Sequence, residues 1–169
     1  MAEQDDLRRY AERLLGLGAA ETRVIDPRAV ITAEWVRWKC QYGCSCYGQR
    51  LTCPPHSPTP ERTRAVLDSY SMGILARFAG EVRPSRPMVA VEQEAFLDGY
   101  YKAFGLGEGP CRWCEECTLE NCLHPTQARP SMEACGIDVF GTVQYYGLPI
   151  HTLREEGEPR NLYGLLLLR

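Results

Sequence analysis

The chain has 169 residues, 44% hydrophobic and 24% charged, with a formal net charge of −3. That length suits one domain with a sizeable core. The balance excludes a disordered tail, a collagen-like repeat and a strongly basic nucleic-acid binder. The longest aliphatic run, residues 165–168, is far short of the roughly 20 residues a bilayer span needs, and the charged opening, residues 1–9, lacks the apolar stretch of a signal peptide. The expectation is a single cytoplasmic domain over 1–169, with no membrane and no nucleic-acid partner.

Taken in order, residues 7–17 place Leu7, Tyr10, Leu14, Leu15 and Leu17 near one helical stripe, with Asp5 or Asp6 as cap and Gly18 as stop. Val24 and Ile25 form a short strand closed by Asp26-Pro27. Residues 35–39 alternate, Val36 and Trp38 against Arg37 and Lys39, which predicts a strand delivering Cys40 from a sheet edge. Residues 40–58 read as loop, punctuated by Gly43, Gly48, Pro54, Pro55 and Pro58. Thr59 then caps a helix with Pro60 in its first turn and Val66, Leu67 and Tyr70 facing inward. Residues 73–78 suit a buried strand. A helix is predicted over 89–104, with Phe96, Leu97, Tyr100 and Phe104 on one face and Gly105 ending it. Pro130 to Ala134 should make a helical turn, Asp138 should cap a helix running to Gly147, and 150–153 and 162–168 are strand candidates. The predicted fold class is α/β or α+β: a mixed sheet with packed helices and two cysteine-rich metal-binding loops.

Nine cysteines are the unusual feature. A reducing compartment has little use for disulfides, so clustered thiols point to metal. Eight fall into two groups. The second, Cys111, Cys114, Cys117 and Cys122, is a C-x2-C-x2-C-x4-C run. One C-x2-C knuckle suits zinc at about 2.3 Å from each sulfur, but a third thiolate at the same spacing is awkward around a single tetrahedral ion. It is natural around a cubane, where each thiolate takes a different iron. The first group, Cys40, Cys44, Cys46 and Cys53 followed by Pro54-Pro55, is looser, and its closing cysteine–proline resembles the end of an iron–sulfur loop. Its opening also brings to mind the C-x3-C-x2-C of radical enzymes that use S-adenosylmethionine, but the second gap is one residue short and the chain too small for the barrel those enzymes need. The eight thiols are the candidate metal ligands, for one or two [4Fe–4S] clusters with zinc as the alternative. Cys122 is open to serving either group, and Cys135 reads first as a buried small residue, then as a spare ligand or reactive thiol.

Several stretches resemble a bacterial and archaeal family of predicted metal-binding proteins, a domain of unknown function. They are Lys39-Cys40-Gln41-Tyr42-Gly43-Cys44 through Cys53-Pro54-Pro55, Phe96 through Phe104, Gly109 through Cys117 with Cys122, and Ala128 through Ala134 with Gly136-Ile137-Asp138-Val139. The resemblance covers most of the chain and implies metal binding through the cysteines, without supplying a reaction. The pattern it implies uses the positions of Cys40, Cys44 and Cys53, and Cys46 falls outside it.

No nucleotide loop, nucleophile elbow or HExxH is present, and no catalytic side chain is identified. His56 and His124 lie beside the cysteine groups but read as surface or hydrogen-bonding residues. Trp113 reads as a shield for its cluster, and Arg129 as a surface arginine. Three cations, Arg37, Lys39 and Arg50, accompany the first group; Glu115, Glu116 and Glu120 against Arg112 accompany the second. That count predicts an easier reduction at the first group. The function expected is electron transfer as the redox partner of a larger enzyme. Its alternatives are a small iron–sulfur enzyme with an open iron at the first group, and a zinc-stabilised interaction module.

Overall fold

A computed structural model describes residues 2–169, with side chains from Asp5 onward; Met1, in the opening read above for a signal peptide, lies outside them. Five helices and four strands follow one another with two 3-10 turns, at Pro27–Ala29 and Glu133–Cys135. The strands are β1 (Glu21–Ile25), β2 (Gly73–Ala79), β3 (Phe104–Leu106) and β4 (Asn161–Leu167), in the order β1-β2-β4-β3. The fold is α+β. Every strand pairing is antiparallel, where a mixed sheet was expected.

The two central strands explain the architecture. On β2, Ile74, Ala76 and Phe78 face one apolar cluster while Leu75 faces another; on β4, Tyr163, Leu165 and Leu167 alternate with Leu166 in the same way. Both faces of the sheet are therefore covered, which is why these strands read as continuous apolar runs. One face receives α1 (Ala2–Gly16) through Leu7, Tyr10 and Leu14, together with α4 (Ser85–Leu97) through Met88, Val91 and Ala95. The other receives α3 (Pro60–Asp68) through Leu67 and α5 (Val139–Tyr145) through Val139 and Val143. A Cβ on Gly164 would lie 2.8 Å from Met88 Cγ, so a side chain there would push α4 off the sheet.

Several predicted elements stand: β1, β2, β4, α3 with Thr59 accepting from the Arg62 N–H, and α5 with Asp138 accepting from the Gly141 N–H. Others are corrected. Residues 35–39 are helical, within α2 (Glu34–Gly43): Val36 is buried while Trp38, its expected same-side neighbour, is 65% exposed. Cys40 is thus delivered by a helix. The helix predicted over 89–104 starts earlier and stops at Leu97, because Gly99 turns the chain at φ 99° and Phe104 already belongs to β3. Phe96 and Leu97 are consequently exposed, and so is Tyr101. Asp5 and Asp6 lie inside α1, where they pair with Arg8 and Arg9 rather than capping. Val66 and Leu15 point outward, and residues 150–153 form no strand.

Candidate metal centre

The first cysteine group is built on a helix end. Cys40 lies in the last turn of α2 and Cys44 caps it, its N–H donating to the Cys40 carbonyl at 3.2 Å. The chain then folds back on itself: the Gly48 N–H donates to the Pro54 carbonyl at 2.8 Å, returning Cys53 beside Cys46. Arg37, one turn before Cys40, donates to the carbonyl of Pro58 at 2.7 Å and to that of Ala134 at 3.4 Å, tying helix, loop and 3-10 turn together. Cys44 is exposed, Cys40 and Cys46 are half-buried and Cys53 is buried. Burial pushes the Cys53 thiol up to about 11; the neighbouring Cys46, Cys44 and Cys40 sulfurs add to the shift, against a hydrogen bond with Thr52. Burial likewise raises Cys40, with the charges of Cys44 and Glu133 adding. The four thiols are electrostatic neighbours, and without a cation their proximity makes Cys40 and Cys53 costlier to ionise.

The second group lies on a stretch without regular structure between β3 and the turn at Glu133. Such a stretch in a compact fold is uncommon unless something holds it. Its four sulfur-bearing residues, Cys111, Cys114, Cys117 and Cys122, line one small cavity together with Trp113 and His124. Hydrogen bonds from the backbone of Leu119 and Leu51 hold the Cys117 thiol below its ordinary range, opposed by slight burial. Leu119 takes a left-handed φ of 60°, which a leucine adopts at a cost of order 1 kcal/mol or more, and in this turn its N–H meets the sulfur. Trp113 is fixed by its indole N–H donating to the Gln127 carbonyl at 3.2 Å and by Arg86 over its ring.

The two loops are joined. Arg50, from the first loop, donates to the carbonyls of Cys114 and Glu115, both at 2.8 Å, and Leu51 and Thr52 form part of the second cavity's wall. Arg50 therefore acts on the second group, not the first, and its charge helps to lower Cys117. The first group in turn has Glu133 for a neighbour. One cation of the charge count thus passes from the first group to the second, and the first gains a carboxylate, so the difference in charge between them narrows.

His56 is exposed, its backbone N–H donating to the Cys53 carbonyl at 3.0 Å, and Cys135 is 2% exposed in the core beside the sheet, its thiol pushed by burial up to about 12. Arg129 is not a surface residue. It forms a buried ion pair with Glu92 of α4 at 2.5 Å, and the same carboxylate accepts the Gly105 N–H at 2.7 Å. Among the described residues no three His, Cys, Asp or Glu side chains enclose a single-ion site. The donor set itself, soft thiols with N–H donors directed at one of them, fits iron–sulfur clusters and zinc.

Sequence reasoning missed one further feature. A cavity of about 630 Å³ opens beside Cys40 and Cys44, with Trp35, Phe140 and Leu153 among its walls and Glu133 and Glu108 at its polar side. Glu133 Oε2 is shut off from solvent and has no hydrogen-bond partner. Burial raises its carboxyl group and the charge of Glu108 adds to the shift; Ser131 and the residue's own N–H oppose it. The signal was a single carboxylate in the apolar run from Met132 to Ile137.

No helix among the described residues is long and apolar enough to cross a membrane. The chain has no match among curated proteins or solved structures. A family model described as predicted metal-binding protein (DUF2284) matches residues 23–168, which takes in both cysteine groups, Glu133 and all four strands but the first residues of β1. The chain belongs to that family of predicted metal-binding proteins.

Proposed function

We propose that this chain is an iron–sulfur protein in which Cys111, Cys114, Cys117 and Cys122 hold a [4Fe–4S] cluster that exchanges electrons with a protein partner. The observation that carries the reading is that these four residues line one cavity behind Trp113, with backbone hydrogen bonds and the Arg50 charge acting on Cys117. Such a cluster supplies one-electron chemistry. The protein ligates it, excludes water with the indole, and sets its potential through N–H donors and charge. No acid or base is required.

A second reading concerns the first group. Cys40, Cys44 and Cys53 would hold another metal centre, with Cys46 beside it as a non-ligand. The large cavity reaching Cys40 and Cys44 favours a centre that meets a small molecule. A metal with an open position there would supply Lewis-acid chemistry.

Anaerobic purification with an absorption spectrum and a count of iron, sulfide and zinc per chain tests both readings. A brown protein with roughly four or eight irons and matching sulfide is the expected result. Stoichiometric zinc without sulfide, from a preparation never exposed to air, would overturn it and leave a zinc-stabilised module.

A further inference from the structure

We propose that the cavity beside Cys40 and Cys44 binds a small organic amine with an apolar body, its ammonium group seated against the Glu133 carboxyl group. The volume, about 630 Å³, lies in the range of small-molecule sites. Its walls are chiefly apolar: Trp35 and Val36 from α2, Ile137 and Phe140 at the start of α5, and Leu153 from the segment before β4. What the walls lack is a partner for one oxygen of Glu133. Oε2 of this residue is shut off from solvent and accepts no hydrogen bond, although an unpaired buried carboxyl oxygen is costly. Glu108, whose charge reaches Glu133, is already held by Arg83 at 2.8 and 3.0 Å, and no Lys, Arg or His among the described residues forms an ion pair with Glu133.

An ammonium group is the donor this arrangement calls for, because it satisfies the orphan oxygen and brings the positive charge that no side chain among the described residues supplies to Glu133. Glu133 lines the cavity, and because the last torsion of a glutamate is soft, turning the carboxyl group is the movement by which Oε2 would meet a ligand there. Of the remaining charged lining residues, Asp138 is engaged as the cap of α5 by the Gly141 N–H, and Lys39 and Arg160 with His151 would receive the carboxylate of a ligand that carries one, as an apolar amino acid does. The binding site stands on Glu133 and the walls; only the ligand's closeness to a metal rests on the second reading above.

Calorimetric titration of the anaerobically purified protein tests this with two probes of matched shape, 2-phenylethylamine and 3-phenylpropanoate, while the visible spectrum is followed. The amine is expected to bind at least about tenfold more tightly than the acid. Glu133→Gln should weaken the amine by about tenfold and leave the acid unchanged, as loss of one charge-assisted hydrogen bond implies. Thr152→Trp, at the exposed mouth, should weaken the amine without touching Glu133, which answers the question if Glu133→Gln fails to fold. Equal binding of the two probes, no binding of the amine, or no loss in either variant would overturn the proposal. Amine binding in a protein whose first group holds no metal would support this site and sink the second reading. Absent binding in a protein fully loaded at both groups would do the reverse.

Discussion

The two cysteine groups lie side by side and are built in opposite ways. The first hangs on regular structure: α2 carries Cys40, its cap is Cys44, and Arg37 clamps the returning loop to the turn at Glu133. The second has almost no structure of its own, and what it has converges on its sulfurs: a left-handed Leu119, a fixed indole and an arginine borrowed from the neighbouring loop. A scaffolded group beside a cavity of about 630 Å³ is suited to meeting a ligand, whereas four half-buried thiols lining one small cavity beside an indole are suited to holding a single centre among themselves. What the difference teaches is that, under the proposed reading, each group suits a different task. Metal binding at the second group would also contribute folding energy, since little else orders that stretch.

The sharpest way to break this comparison is to remove one ligand from each side. Cys114→Ala should abolish the cluster of the second group and leave the metal of the first, read as a loss of one cluster's iron and sulfide and a lower unfolding temperature. If Cys40→Ala removes the same spectral signal instead, the two groups share one centre. Next in size is the buried pair behind the second loop. Arg129→Met leaves Glu92 unpaired beneath Phe104 and Gly105 and should cost about 3–5 kcal/mol in chemical denaturation. A value within 1 kcal/mol of wild type would show that the pair contributes little.

The neighbourhood of Cys135 adds a smaller effect that depends on pH. A thiol raised to about 12 in the fold, against about 8.5 in the unfolded chain, favours the folded state while protonated; that contribution is present below the unfolded value and is lost as pH rises from there toward 12. Stability should therefore fall between pH 9 and 11, less steeply in Cys135→Ala, and native Cys135 should resist alkylation at pH 8. Rapid labelling of that residue would contradict its placement in the core. Arg50→Met sharpens the electrostatic side of the comparison. Removing a cation beside the second group disfavours its more negative reduced state, so its midpoint potential should fall by up to about 60 mV, a tenfold change for one electron. An unchanged potential would mean that Arg50 only braces the loop. The smallest effect is expected at Cys46→Ala, with metal content retained in full; loss of metal would make Cys46 a ligand.

Much of the fold was legible because local rules and tertiary packing agree. Thr59-Pro60 opens α3, Asp138 caps α5, and the apolar runs in β2 and β4 are the strands covered on both faces. Misreadings occurred where a short window fits two periods. Residues 35–39 alternate well enough for a strand, yet Val36 and Cys40 stand four apart, which is the spacing that α2 uses. Residues 96–104 carry aromatic residues at helical spacing, but Gly99 interrupts them. At the site, the grouping of the thiols could be read from spacing alone. That Arg50 serves the other loop, that Arg129 is buried against Glu92 and that one oxygen of Glu133 has no partner are long-range facts that no local pattern encodes.

The central claim, that the proposed centre at the first group is open to a ligand while that at the second has every position filled by its own four thiols, is tested most directly by low-temperature electron paramagnetic resonance of the chemically reduced protein titrated with cyanide. The account predicts two signals. The one lost in Cys40→Ala should shift as cyanide binds an open iron, and the one lost in Cys114→Ala should stay where it is. A shift confined to the signal that depends on Cys114, or two signals equally indifferent to cyanide, would contradict it.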